Sequence, residues 1–214
     1  MSWEIISWKV IALFALAGSG IGVAGRWVLH GVGAPVPPWS CEAVSAVLWS
    51  AVGWWWLSGS GPGWWLPVPL AVTAFAVPLL LADLRYLRLP TVLTSAAYPV
   101  FAVAIGVAAA HGGVALAWRA GLGALVFGGL HLGMHWFRPD SLGAGDVKLA
   151  GSLGAVLGAV GWAALALCAL AAAVVTVVLW ALARRWRAGV PYGPGLLAAT
   201  WFIVLSPVKS AGWP

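Results

Sequence analysis

Long apolar runs broken by short polar punctuation dominate the chain. A membrane-crossing helix needs about 20 mostly apolar residues, and windows of that kind fall near 5–25, 42–59, 64–83, 91–110, 115–136, 147–162, 163–183 and 194–208. Lys9 interrupts the first and Arg119 the fifth, and the sixth and seventh share one continuous apolar run. Between the windows lie clusters of Pro and Gly: Gly33 to Pro38, Gly59 to Gly63, Leu89-Pro90, Pro139 to Gly145, and Gly189 to Gly195. Such clusters end helices and turn the chain. The pattern predicts an all-α polytopic membrane bundle of about eight transmembrane helices, with no fixed-period repeat.

Composition sharpens this picture. Hydrophobic residues make up 63% of the chain and charged residues 7%, against about 25% charged in a typical soluble domain. Eleven basic and five acidic side chains cannot cover a globular surface. A disordered chain, a secreted disulfide scaffold and a soluble nucleic-acid binder are therefore excluded, and the lipid bilayer becomes the expected partner. The +6 balance reads as membrane orientation. With eight spans, the odd-numbered loops share one side, and they hold Arg26, Arg85, Arg88, Arg138, Lys148, Arg184, Arg185 and Arg187. The positive-inside rule makes that side cytoplasmic and puts both termini outside. Arg184, Arg185 and Arg187 then read as headgroup anchors. The opposite side carries Trp54 to Trp56 and Trp64-Trp65, as expected of an aromatic belt.

Cys41 and Cys168 stand far apart and form no metal-type cluster, so both read as small buried hydrophobes. Glu4 precedes the first apolar run where a cleavable signal peptide would carry basic residues, so no such peptide is expected. Gly18/Gly22, Gly129/Gly133 and Gly154/Gly158 have the four-residue spacing that lets helix backbones approach closely in lipid.

With only five carboxylates, each can be weighed. Glu4 is terminal. Asp140 follows Pro139 in a polar loop and reads as a turn or capping residue. Glu42 opens the second window, where a negative charge suits the helix dipole. Asp83 ends the third window, in Leu81-Ala82-Asp83-Leu84-Arg85-Tyr86-Leu87-Arg88-Leu89-Pro90-Thr91, and Asp146 opens the sixth, in Gly143-Ala144-Gly145-Asp146-Val147-Lys148-Leu149. Two crossings separate them, so both can sit at one depth on one side. Two interfacial aspartates, one paired with Arg85 or Arg88 and one capping a helix, would account for the pattern without chemistry. The glycines before Asp146 favour more than a cap, because Gly143 and Gly145 permit positive φ and close approach of another chain. Two facing aspartates also activate water against a peptide bond. They share a proton, so that one serves as general base while the other polarises the scissile carbonyl.

Gly143-Ala144-Gly145-Asp146-Val147-Lys148-Leu149 is similar to the GxGD…K motif of the prepilin peptidases, the membrane aspartic peptidases that process type IV prepilins and pseudopilins. Asp83 to Thr91 resembles their first aspartate motif, an Asp followed by a hydrophobic-Pro-Asn/Asp/Thr turn that includes Pro90 here. Val190-Pro191-Tyr192-Gly193-Pro194 resembles their (I/V)P(F/Y)GP stretch, and Pro38 to Trp49, with Glu42, is faintly similar to the opening of their second span. The resemblance implies an endopeptidase of the bacterial inner membrane that removes a short basic leader on the cytoplasmic side, without metal or other cofactor. It implies Asp83 and Asp146 as the catalytic pair, with Gly143, Gly145, Lys148, Pro90, Tyr192, Gly193 and Pro194 shaping the site or touching substrate. It also implies a division into a two-helix segment over 1–63 and a six-helix peptidase core over 64–214. The long form of the family has paired CxxC motifs in its first cytoplasmic loop, associated with zinc and N-methylation. Here that loop spans about 26–41 and holds one cysteine, so methyltransferase activity is not expected.

His131 and His135 have the i,i+4 spacing of a zinc pair but lack a third ligand other than Asp140, and read as helix-end polar contacts. Helix dipoles place the proton on Asp83, at a C-terminal end, and the charge on Asp146, at an N-terminal end, unless Arg85 or Arg88 reaches Asp83. Two other classes compete with the peptidase. A small proton-coupled transporter needs charges near the bilayer midplane, ideally in matching halves. A non-enzymatic pilus or secretion assembly protein needs neither aspartate.

Overall fold

The computed structural model describes residues 2–138, 142–182 and 190–206, with side chains from residue 7 onward. Eight helices follow one another: α1 (Ser2–Gly31), α2 (Ser40–Leu57), α3 (Pro67–Tyr86), α4 (Thr91–Gly112), α5 (Val114–Phe137), α6 (Ala144–Val160), α7 (Trp162–Leu182) and α8 (Gly193–Leu205). A 3-10 turn over Gly63–Trp65 leads into α3. Each predicted window holds one helix, and Pro or Gly sits at most of the breaks. Pro67 opens α3, Gly113 and Gly161 separate neighbouring helices at positive φ, and Pro90 precedes α4. The side chain of Glu4 and the residues Asp140, Arg184, Arg185 and Arg187, each given a reading above, lie outside the described residues.

Five of the eight helices, α1, α3, α4, α5 and α7, are long and apolar enough to cross a membrane. The other three are shorter, at 18 residues in α2, 17 in α6 and 13 in α8. At 1.5 Å per residue α8 is about 20 Å long, less than the roughly 30 Å hydrocarbon core. Burial explains α6. From Leu149 to Ala159 nearly every residue is enclosed, so this helix is apolar on all sides and sits at the centre of the bundle. It packs against α4, α5, α7 and α8, while α1 and α2 form a hairpin that leans on α3.

Glycine makes the closest of these contacts possible. A Cβ on Gly18 would stand 2.6 Å from the Ser45 carbonyl, and one on Gly22 2.6 Å from that of Cys41, so α1 and α2 touch backbone to backbone. Gly154 and Gly158 pack in the same way on Gly123 and Arg119 of α5. The third predicted pair does not. Gly129 and Gly133 have nothing within 4 Å, and α5 instead meets α6 through Gly123 and Gly128. The aromatic-belt reading is also corrected in part. Trp54 is exposed, but Trp65 is buried at 2% exposure and its Nε1–H donates to the Val204 carbonyl at 3.0 Å. Trp55 is buried as well. Both cysteines are free and buried, as expected.

Glu42 proves to be more than a residue at a favourable helix end. It is buried between α1 and α2, where Arg26 Nε lies 2.5 Å from its Oε1. Arg26 thus belongs to α1 and answers a buried charge, a stronger requirement than the helix dipole supplies.

Candidate active site

The α1–α2, α3–α4 and α5–α6 connections and the N-terminus of α8 gather at one end of the bundle. The Tyr86 hydroxyl, on the last residue of α3, donates to the Pro35 carbonyl in the α1–α2 loop. His135, near the end of α5, donates from Nδ1 to the Leu142 carbonyl at 2.6 Å, just ahead of α6. Tyr98 of α4 donates to the Lys148 carbonyl of α6 at 2.8 Å. All three sequence motifs lie at this end, although 190–194 is more than a hundred residues from Asp83.

Asp83 sits one turn before the end of α3 and is 5% exposed. Asp146 is the third residue of α6, with Gly143 at the N-cap. The Gly143 amide faces the Asp146 carboxylate, which is the acidic half of a capping box. The helix-capping reading of Asp146 is therefore correct, but it is not sufficient, because it leaves the buried Asp146 Oδ1 without a partner among the described residues. The alternative in which Asp83 pairs with an arginine fails. Among the described residues Asp83 forms no ion pair, and Arg85 lies over the Tyr86 ring, 5.8 Å from its centroid. Each aspartate retains one buried oxygen, Asp83 Oδ2 and Asp146 Oδ1, without a hydrogen-bond partner among the described residues. A buried carboxylate oxygen left in that state is costly. Such oxygens are available to a shared proton, a water or a substrate.

The glycines act through close approach alone. Gly143 has an extended backbone at φ −67°, and neither it nor Gly145 is among the glycines with positive φ. The expectation of positive φ is thus corrected. A Cβ on Gly145 would stand 2.9 Å from Leu89 Cβ, and one on Gly193 2.6 Å from Asp83 Oδ2 and 3.4 Å from Leu89 Cδ2. Leu89, the hydrophobic residue of the Leu89-Pro90 turn, therefore locks the α3–α4 connection against both other motifs. Pro90 caps α4 from an extended conformation, and Pro194 enters the first turn of α8, where a missing N–H costs nothing. Lys148 is exposed, and its carbonyl accepts the Tyr98 hydroxyl.

Tyr192 precedes α8 and packs on His131 of α5, with ring centroids 5.9 Å apart. Its phenol feels the charge of Asp146, and burial pushes its pKa up to about 12, Cys168 and Asp146 adding to the effect. It is therefore a neutral O–H at physiological pH. The Gly193 amide faces the Asp83 carboxylate. Asp83 thus lies at the C-terminal end of α3 and against the N-terminus of α8, while Asp146 lies at the N-terminus of α6. Both carboxylates face a positive helix end, and the dipole argument for separating acid from base no longer distinguishes them.

Sequence reasoning missed Leu89 as the interlock and His131 as the support under Tyr192. Only the i,i+4 spacing of His131 and His135 pointed to the second. No cluster of three or more metal-ligating side chains occurs among the described residues.

Together, the bundle and the site define a multi-pass helical membrane protein with two aspartates at one end, where Leu89 approaches both Gly145 and Gly193 beside them. A model of the type IV leader peptidase family matches residues 70–182, a segment that includes both aspartates and stops short of Tyr192 and Gly193. The chain belongs to the type IV leader peptidase family, and so to a group of membrane proteases. Neither the curated proteins nor the solved structures contained a match.

Proposed function

We propose that this protein is an aspartic endopeptidase that removes the basic leader from type IV prepilin or pseudopilin precursors at the cytoplasmic face of the bacterial inner membrane. What carries the reading is the convergence of Asp83, Asp146 and the Tyr192-Gly193 segment at one end of the bundle. In this reading residues 64–214 form the peptidase core and the hairpin over 1–63 is an appendage to it.

The chemistry follows from paired carboxylates. Water held between them loses a proton to the ionised aspartate as its oxygen attacks the scissile carbonyl. The protonated aspartate gives its proton to the carbonyl oxygen, leaving a tetrahedral diol. On collapse the C–N bond breaks, the aspartate that took the water's proton gives it to the leaving nitrogen, and a diol hydroxyl returns its proton to the other aspartate, so that the pair again holds one proton. A substrate suited to this site has an extended scissile segment at the membrane surface and an apolar helix beyond it. An apolar crevice of about 190 Å³ between α2, α3 and α8 supports the second requirement. Its lining includes Leu80, one turn before Asp83, and Leu197, one turn after Gly193. Asp83 lies in the last turn of α3 and Asp146 in the first turn of α6, whereas a proton-coupled transporter requires charges near the middle of its spans.

The test is co-expression with a candidate prepilin, comparing the native chain with Asp83→Asn and Asp146→Asn and following leader removal by mass. Each substitution is expected to lower cleavage at least about 1,000-fold, since a lone carboxylate cannot supply both base and acid. Cleavage that survives either substitution overturns the peptidase assignment.

A further inference from the structure

His131 is a buried titratable side chain that the hydrolytic chemistry leaves unused. It is 4% exposed, faces inward from the last third of α5, and stacks against Phe127 at a centroid distance of 4.5 Å. Its Nδ1 lies 2.8 Å from the Phe127 carbonyl. A carbonyl can only accept, so Nδ1 carries the hydrogen and Nε2 is left as an acceptor. Tyr192 Oη lies 3.5 Å from that Nε2, and its hydroxyl is the group that donates to it. The tautomer is thus fixed on one side by the helix backbone and satisfied on the other by Tyr192. The residue after Tyr192 is Gly193, whose amide faces Asp83 and on which a Cβ would stand 2.6 Å from Asp83 Oδ2.

We propose that His131 is a positioning residue for the peptidase reaction. By accepting the Tyr192 hydroxyl it holds the Tyr192-Gly193 segment so that the Gly193 amide meets Asp83. The proposal rests on the peptidase reading above. It extends that reading to a histidine on α5, a helix that contributes neither aspartate. His131 touches neither carboxylate, so its effect passes entirely through Tyr192. Removing it leaves substrate binding nearly intact and misplaces one reacting group, which lowers kcat more than it changes KM.

The experiment measures kcat and KM on a prepilin substrate for the full chain, His131→Leu, His131→Gln, Tyr192→Phe and the double variant His131→Leu/Tyr192→Phe. Leu removes the acceptor, whereas the Gln amide oxygen reaches the place of Nε2 and restores it. We expect kcat to fall about 10-fold or more in His131→Leu with KM within about 3-fold, and to recover to within about 3-fold of the native chain in His131→Gln. In the Tyr192→Phe background, His131→Leu should add less than about a 2-fold loss, because the group it acts through is already gone. If His131→Leu fails to accumulate in membranes, His131→Asn replaces it, since its shorter side chain does not reach Tyr192. Equal losses in both backgrounds, or a Gln variant as impaired as the Leu variant, overturns the proposal. A native chain that cleaves no prepilin overturns the peptidase reading instead, so the two failures are told apart.

Discussion

Gly193 and Gly145 stand at similar distances from their neighbours, yet a methyl group at each meets a different kind of obstacle. At Gly193 the nearest atom is Asp83 Oδ2, the tip of a side chain that can turn away. Gly193→Ala should therefore leave the thermal unfolding midpoint in detergent nearly unchanged while cleavage falls about 100-fold, the scale of loss that follows a reacting group displaced by about 1 Å. At Gly145 the nearest atom is Leu89 Cβ, which no rotamer change moves. Gly145→Ala should lower both the midpoint and the activity, because the N-terminus of α6 has to separate from the Leu89-Pro90 turn. Parallel melting and cleavage assays on the two variants check the contrast. At this scale the sequence was legible for Asp83 and Asp146 because charge is so scarce that each carboxylate asks for a reason. It was not legible for Leu89 or His131. A leucine beside a proline in an apolar chain carries no mark of what it touches, and a single histidine on an apolar face reads first as a satisfied core residue.

Helix contacts separate glycines that look alike in sequence. Gly154 lies so close to Gly123 that a Cβ would stand 2.6 Å from its carbonyl oxygen, whereas Gly129 and Gly133 face open space. Gly154→Ala is expected to destabilise the protein by about 1–3 kcal/mol, the usual cost of overpacking. Gly129→Ala should be neutral or stabilising by up to about 1 kcal/mol through helix propensity. Thermal unfolding in one detergent decides both signs. Apolar windows and Pro-Gly breaks located all eight helices, since these features act locally. Which face of a glycine-rich helix turns inward depends on residues elsewhere in the chain, so the four-residue spacing found two contacts correctly and misplaced the third. The enclosure of α6 was hidden for a related reason. Windowed hydropathy does not distinguish a helix bathed in lipid from one enclosed by its neighbours.

For the whole molecule, eight helices in alternation put the α1–α2 and α3–α4 connections at one end and the α4–α5 connection at the other. The proposed function requires the first end to face the cytoplasm, as the charge bias predicts, and labelling tests it directly. Both native cysteines are buried, so added thiols can be read against a low background. Val32→Cys, beside the α1–α2 loop, should react with a membrane-impermeant maleimide only from the cytoplasmic side. Val114→Cys, at the start of α5 and 78% exposed, should react only from the opposite side. Reversed labelling would place the aspartates outside the cell and remove the orientation on which leader cleavage depends. Legibility at this scale rested on counting charges, and it held for the class of molecule because bilayer physics constrains composition more tightly than it constrains contacts.

The position of α8 has a consequence in time. It is made after the other seven helices, and it supplies the amide that faces Asp83. Under the proposed function, a nascent chain already holding both aspartates in the membrane is therefore an incomplete protease until Tyr192 and Gly193 have been made. In that reading a peptidase assembled in this order cannot cut its neighbours while its own synthesis is still under way.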